Sequence, residues 1–178
     1  VALSRLIYIF QQEKDWRQAI AYCDRLERLG GLSRRRETAH YCCELAEEAS
    51  QRQDEASAQA SLQEALSRDP GCARASLLQG RLAMRAGDYP AAMTALQAVE
   101  WQDRGFFPEA IAPLSQCYSA LGRLDEWLVY LRAAHSQDHS GRVTDAVAEW
   151  LLKLEGEDAA LRFLESELRD YPTLLGLR

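Results

Sequence analysis

The sequence predicts an all-α fold built as a solenoid of about five helix–turn–helix repeats, and three observations carry that expectation. Apolar residues recur at helical spacing along most of the 178 residues, short Gly, Asp and Pro turns interrupt them, and the whole pattern returns about every 34 residues. The clearest unit is Ala73 to Leu96. Leu77, Leu78, Leu82, Ala83 and Ala86 form one apolar stripe, and Ala91, Ala92, Leu96 and Val99 form the next. Between them Gly87 supplies a residue able to take positive φ past a helix end. Asp88 can cap the following helix, and Pro90 suits its first turn. Gly80 and Ala92 are small enough to let the two backbones approach closely.

The recurrence is arithmetic. Ala39 to Ala73, Ala58 to Ala92 and Leu62 to Leu96 are each 34 residues apart. Gly87 to Gly122 and Leu96 to Leu131 are 35, Leu131 to Leu164 is 33, and Pro70 to Pro172 is 102, or three periods of 34. A small residue near position 8, Ala at 20 and Pro at 32 complete the tetratricopeptide (TPR) signature. Such repeats stack as a right-handed solenoid in which each hairpin buries its apolar faces against its neighbours, with the first helix of each pair lining the concave side.

The repeats are expected at about 1–33, 39–72, 73–106, 108–140 and 141–174, within a single array over 1–178. In the first, Leu3, Leu6, Ile7 and Phe10 face Trp16, Ala19, Ile20, Cys23 and Leu26, with Asp15 as a cap and Gly30-Gly31 as the stop. Arg34-Arg35-Arg36 follows in an insertion, read as a solvated loop and helix start. In the second repeat, Cys42, Leu45, Ala46 and Ala49 oppose Ala58, Leu62, Ala65 and Leu66. The fourth departs from the pattern: Pro113 should kink or delay its first helix, and Trp127 replaces the usual Ala, so that helix pair must open. The fifth carries Val147, Ala148, Leu151, Ala160, Leu164 and Leu168. The chain opens at Val1 within a helical pattern and closes at Arg178 as Leu174, Leu175 and Leu177 begin another, which reads as an excised piece of a longer protein whose cut ends can self-associate.

Composition narrows the function classes. A net charge of −6 argues against a nucleic-acid protein, and no apolar run approaches the ~20 residues of a membrane span. Five cysteines without a C-x-x-C pair fit neither a disulfide framework nor a zinc knuckle, and point to a reducing compartment. No phosphate-loop, dinucleotide or zinc-protease motif is present. His40 and Cys43 share a helix face, yet a Cys–His nucleophile would want an orienting third group, so a packed or groove-lining pair is expected. His135 and His139 are spaced i, i+4 where a helix should end, and two imidazoles alone make a poor metal site. No catalytic, cofactor or metal residue is therefore assigned, and the protein is read as a non-enzyme.

The better candidate is a surface. Groove-facing positions of the first TPR helix fall on Arg74, Leu77, Arg81, Met84 and Arg85 in the third repeat, on His40, Cys43, Glu47, Ser50 and Gln51 in the second, and on Ser4, Tyr8, Gln11 and Gln12 in the first. Arg74, Arg81 and Arg85 lie within about 20° of one line along the helix. Three guanidiniums beside Leu77 and Met84 suit an acidic and apolar peptide; the alternative is that they pair with neighbouring acids. The asparagine and lysine positions of chaperone-tail receptors hold Tyr8 and Ser4 instead.

Particular strings go further: Ala39-His40-Tyr41-Cys42-Cys43-Glu44-Leu45-Ala46, Ala73-Arg74 through Gly80-Arg81 with Gly87-Asp88-Tyr89, Gln116-Cys117-Tyr118, Gly122 and Glu126-Trp127, and Tyr171-Pro172-Thr173. With these, the chain closely resembles the lipopolysaccharide assembly protein B (LapB, YciM) family over essentially its whole length. The resemblance implies a Gram-negative inner-membrane adaptor with an N-terminal anchor, cytoplasmic repeats and a C-terminal rubredoxin-like zinc domain. It implies a role in lipid A control, linking the deacetylase LpxC to the membrane protease FtsH. Neither the anchor nor the zinc domain lies in this chain, so no cofactor is expected here and any membrane attachment comes from outside it. A generic TPR scaffold for secretion or envelope assembly is the alternative.

Overall fold

The computed structural model describes residues 2–171, which form ten α-helices and no strand. They divide into two compact units, one up to residue 106 and the other from residue 107. The apolar segment at Leu174, Leu175 and Leu177, together with Pro172, lies outside the described residues.

The first unit holds three helix pairs: α1 (Ala2–Gln12) with α2 (Trp16–Arg28), α3 (Arg35–Gln51) with α4 (Glu55–Arg68), and α5 (Ala73–Arg85) with α6 (Tyr89–Gln102). Each second helix packs on the next first helix, and α3 also packs on α5, the stacking expected of repeats. The second repeat starts early, because Arg35 and Arg36 already belong to α3. Arg34 holds that end with a 2.5 Å ion pair to Glu37.

The turns are built alike. After α1, α3 and α5 the chain enters the left-handed region at Lys14 (φ 57°), Gln53 (φ 61°) and Gly87 (φ 77°). The next residue then donates its N–H back to Phe10, Ala49 or Ala83, at 2.9 Å in each case. That same residue is Asp15, Asp54 or Asp88, whose carboxylate accepts from the N–H of Gln18, Ser57 or Ala91. One aspartate thus closes one helix with its main chain and opens the next with its side chain. Two apolar clusters lie beneath. One joins Ile7, Ala19, Cys23 and Tyr41; the other joins the inner faces of α3, α4 and α5 around Cys42, Cys43, Ala46, Leu62 and Ala75.

The second unit contains α7 (Pro108–Ala120), α8 (Leu124–His135), α9 (Gly141–Leu154) and α10 (Glu157–Asp170). Pro113 does not delay α7, which begins at Pro108 and carries the proline inside it. The turn into α8 keeps the left-handed residue, Gly122, but the following position is Arg123, which pairs with Glu126 in place of a carboxylate cap. Trp127 is fully buried and holds α7 and α8 apart, so they meet over less backbone than α3 and α4 do. Tyr118, Tyr130 and Trp150 surround its ring at centroid distances of 5.5, 6.0 and 6.0 Å. Leu168 is exposed, whereas Glu167 beside it is buried, contrary to the expected apolar stripe of the fifth repeat.

Candidate partner-binding groove

The candidate surface is a cleft of about 290 Å³ in the first unit, where α3 and α5 run side by side over α4. Ala46, Ala58, Leu62, Leu78 and Leu82 line it with apolar surface, and Glu47, Ser50, Gln51, Arg81 and Arg85 supply its polar groups.

The three arginines have different settings. Arg74 is half-buried and committed, with its guanidinium 2.6 Å from Glu44 and 3.0 Å from Glu47. Arg85 donates to Ser50 Oγ at 2.6 Å and stands 4.0 Å from Glu55, a loose and exposed arrangement. Arg81 is exposed and makes no ion pair among the described residues. The stripe therefore divides into one structural arginine and two at the cleft. Arg74 also neutralises Glu47, which would otherwise set a negative charge beside them.

Two of the expected groove residues are corrected outright. Cys43 is fully buried, with its Sγ 3.9 Å from Cys72 Sγ, and Leu77 is only 4% exposed. The reason is geometric: α5 is packed on α3, α4 and α6, leaving a narrow strip of its surface open. The apolar surface of the cleft comes instead from Leu78 and Leu82, one and five residues on. Met84 is half-buried and does not line the cleft. His40 is exposed on α3 and Tyr8 is 62% exposed on α1, both outside the cleft. Gln11, read as groove-facing, accepts a hydrogen bond from Tyr41 Oη at 3.2 Å. Glu48 accepts from Trp16 Nε1 at 3.0 Å and ties α2 to α3.

The Cys43 thiol has the character of a core group. Its hydrogen bond with Cys72 and its burial both hold its pKa above the ordinary thiol value, so the thiolate needed for nucleophilic attack is disfavoured. Cys42 is pushed up to about 12, chiefly by burial. All five cysteines are free and buried. No helix among the described residues is long and apolar enough to cross a membrane.

Comparison with known proteins places this geometry. Residues 43–105, which hold the cleft, match the tetratricopeptide repeat family model. Lipopolysaccharide assembly protein B of Escherichia coli K12 is 32% identical over 173 residues, 97% of this chain. The chain is homologous to lipopolysaccharide assembly protein B. The protein of that name from Haemophilus influenzae is 31% identical over 174 residues, 98% of the chain. In both cases the chain spans 44% of the relative's length. Among solved structures, the MamA protein superposes with a TM-score of 0.52 at 16% identity, covering 96% of this chain and 93% of that one, which supports the repeat fold alone.

The cleft offers apolar contact from Leu78 and Leu82 and two accessible guanidiniums, those of Arg81 and Arg85.

Proposed function

We propose that this chain is the repeat scaffold of an adaptor in lipopolysaccharide assembly, and that it holds a partner segment along the α3–α5 cleft. The segment is acidic and apolar: its side chains lie on Leu78 and Leu82 while a carboxylate meets Arg81 and Arg85. The observation that carries the reading is the separation of the arginines. Arg74 is spent on Glu44 and Glu47, whereas Arg81 and Arg85 remain at the rim of an open apolar cleft. Homology supports the process, and the partners proposed are the deacetylase LpxC and the protease FtsH, which the adaptor brings together at the cytoplasmic side of the inner membrane. Its action is to position proteins, without chemistry of its own.

The test is a titration of the purified chain with LpxC and with the soluble part of FtsH, at low and high salt. At least one should bind, with affinity falling as salt rises. The double variant Arg81→Glu, Arg85→Glu should weaken binding by about tenfold or more. Absence of binding by both proteins would remove the proposed partners. Unchanged affinity of the charge-reversed variant would remove the cleft.

A further inference from the structure

Outside the cleft, one cluster of side chains brings three metal-ligating groups together. His135 ends α8, His139 lies in the following loop, and Glu167 is on α10. Their donor atoms, His135 Nε2, His139 Nδ1 and a Glu167 oxygen, all lie within 4.8 Å of one another. We infer that His135, His139 and Glu167 form a binding site for a divalent transition-metal ion of the zinc class.

The distances favour it. Donors about 2.0–2.1 Å from a tetrahedral zinc ion stand about 3.4 Å from one another. Here Glu167 Oε2 is 3.3 Å from His135 Nε2 and 3.5 Å from His139 Nδ1. Two imidazoles and a carboxylate are a donor set suited to zinc, with a fourth position left for water.

The surroundings need a cation. Glu167 is 9% exposed, and among the described residues its ion-pair partners are these two imidazoles, with no lysine or arginine. A buried carboxylate without a firm countercharge is costly. His139 Nδ1 is buried and makes no hydrogen bond among the described residues, standing 3.5 Å from Glu167 Oε2. An open nitrogen beside an under-compensated carboxylate is the arrangement that a metal ion completes.

The site is also held in place. Asp138 accepts from Ser140 N at 3.0 Å and from Ser140 Oγ at 3.1 Å, fixing the loop that carries His139. The His139 ring stacks on Tyr171 at 4.3 Å, and the His135 ring meets Phe163 edge-on at 5.2 Å. Coordination through His135 Nε2 places that ring's proton on Nδ1 and exchanges the 3.2 Å contact with Thr144 Oγ1 for the metal. The bound ion would tie the end of α8 to α10.

Zinc alone is titrated into the untagged 178-residue chain by calorimetry, with the thermal midpoint followed in parallel. The expected result is one zinc per chain at a Kd of about 1 µM or tighter, with a raised midpoint. His139→Gln and Glu167→Gln, both close in shape, should each weaken binding by about 100-fold or more while keeping the helical spectrum. Cobalt should give a visible spectrum without a sulfur-to-metal charge-transfer band. Absence of stoichiometric binding, or equal binding by the two variants, would overturn the site and leave a buried His–Glu contact. A thiolate band would also overturn it, by moving the metal to cysteine.

Discussion

Gly80 of α5 lies so close to Leu96 of α6 that a methyl group on Gly80 would overlap Leu96 Cγ, stand 2.7 Å from its Cδ2 and reach 3.3 Å from Ala92 O. The residues are 16 apart in sequence and bring the two helices of the third repeat into close contact. Gly80→Ala sets two effects against each other. Alanine gains about 0.8–1.0 kcal/mol of helix propensity, while overpacking a tight interface costs about 1–3 kcal/mol. The overlap involves a branched side chain that is itself fully buried, so it cannot swing away. A net loss of about 1–2 kcal/mol is expected, read from the urea midpoint.

The turn after α3 offers the opposite change. Gln53 occupies the left-handed region that Gly87 occupies one repeat later, and its side chain is exposed. Gln53→Gly removes a steric cost of about 1–2 kcal/mol, partly offset by the greater freedom of glycine in the unfolded chain. Stability should rise by about 0.5–1 kcal/mol, measured by thermal or urea unfolding.

Arg74 and Arg81 should separate structure from recognition. Arg74→Ala leaves Glu44 and Glu47 half-buried without their partner, and should cost about 1–3 kcal/mol. Arg81→Ala removes an exposed side chain without an ion pair among the described residues, and should stay within about 0.5 kcal/mol. Equal losses of stability would mean that Arg81 also holds the fold.

The buried thiols predict a pH dependence. Cys42 is held at about 12 in the native state against an unfolded value of 9.0, chiefly by desolvation. Its folded pKa is therefore raised, so the associated stability is fully present below pH 9 and is lost as pH climbs toward 12. The slope is at most about 1.4 kcal/mol per pH unit for this thiol. Cys42→Ala should flatten the alkaline limb of the stability curve. In the native protein at neutral pH, a thiol reagent should label these cysteines only as fast as the chain opens.

Periodicity made the architecture legible. Asp15 and Asp88 cap α2 and α6 as read, and the predicted close approach at Gly80 and Ala92 is present. The same spacing argument failed for side chains whose direction depends on a neighbouring repeat. Leu77 and Cys43 sit at groove positions by count but turn into the packing of α3, α4 and α5. The fate of Arg74 was equally hidden, because its partners come from another repeat, 30 and 27 residues earlier. Glu167 stands 28 residues from His139, with no local motif to connect them, and the periodicity of the fifth repeat points to Leu168 instead. An acidic residue beside an otherwise regular stripe is the one signal that was available.

Each hairpin of the first unit reverses through a turn fixed by its own main chain and one aspartate. The side chains facing the cleft are spared that duty. A lineage can rewrite the exposed polar ones, such as Gln51, Arg81 and Arg85, while the frame survives, so proteins sharing these reversals can keep one scaffold and acquire unrelated tastes in partners.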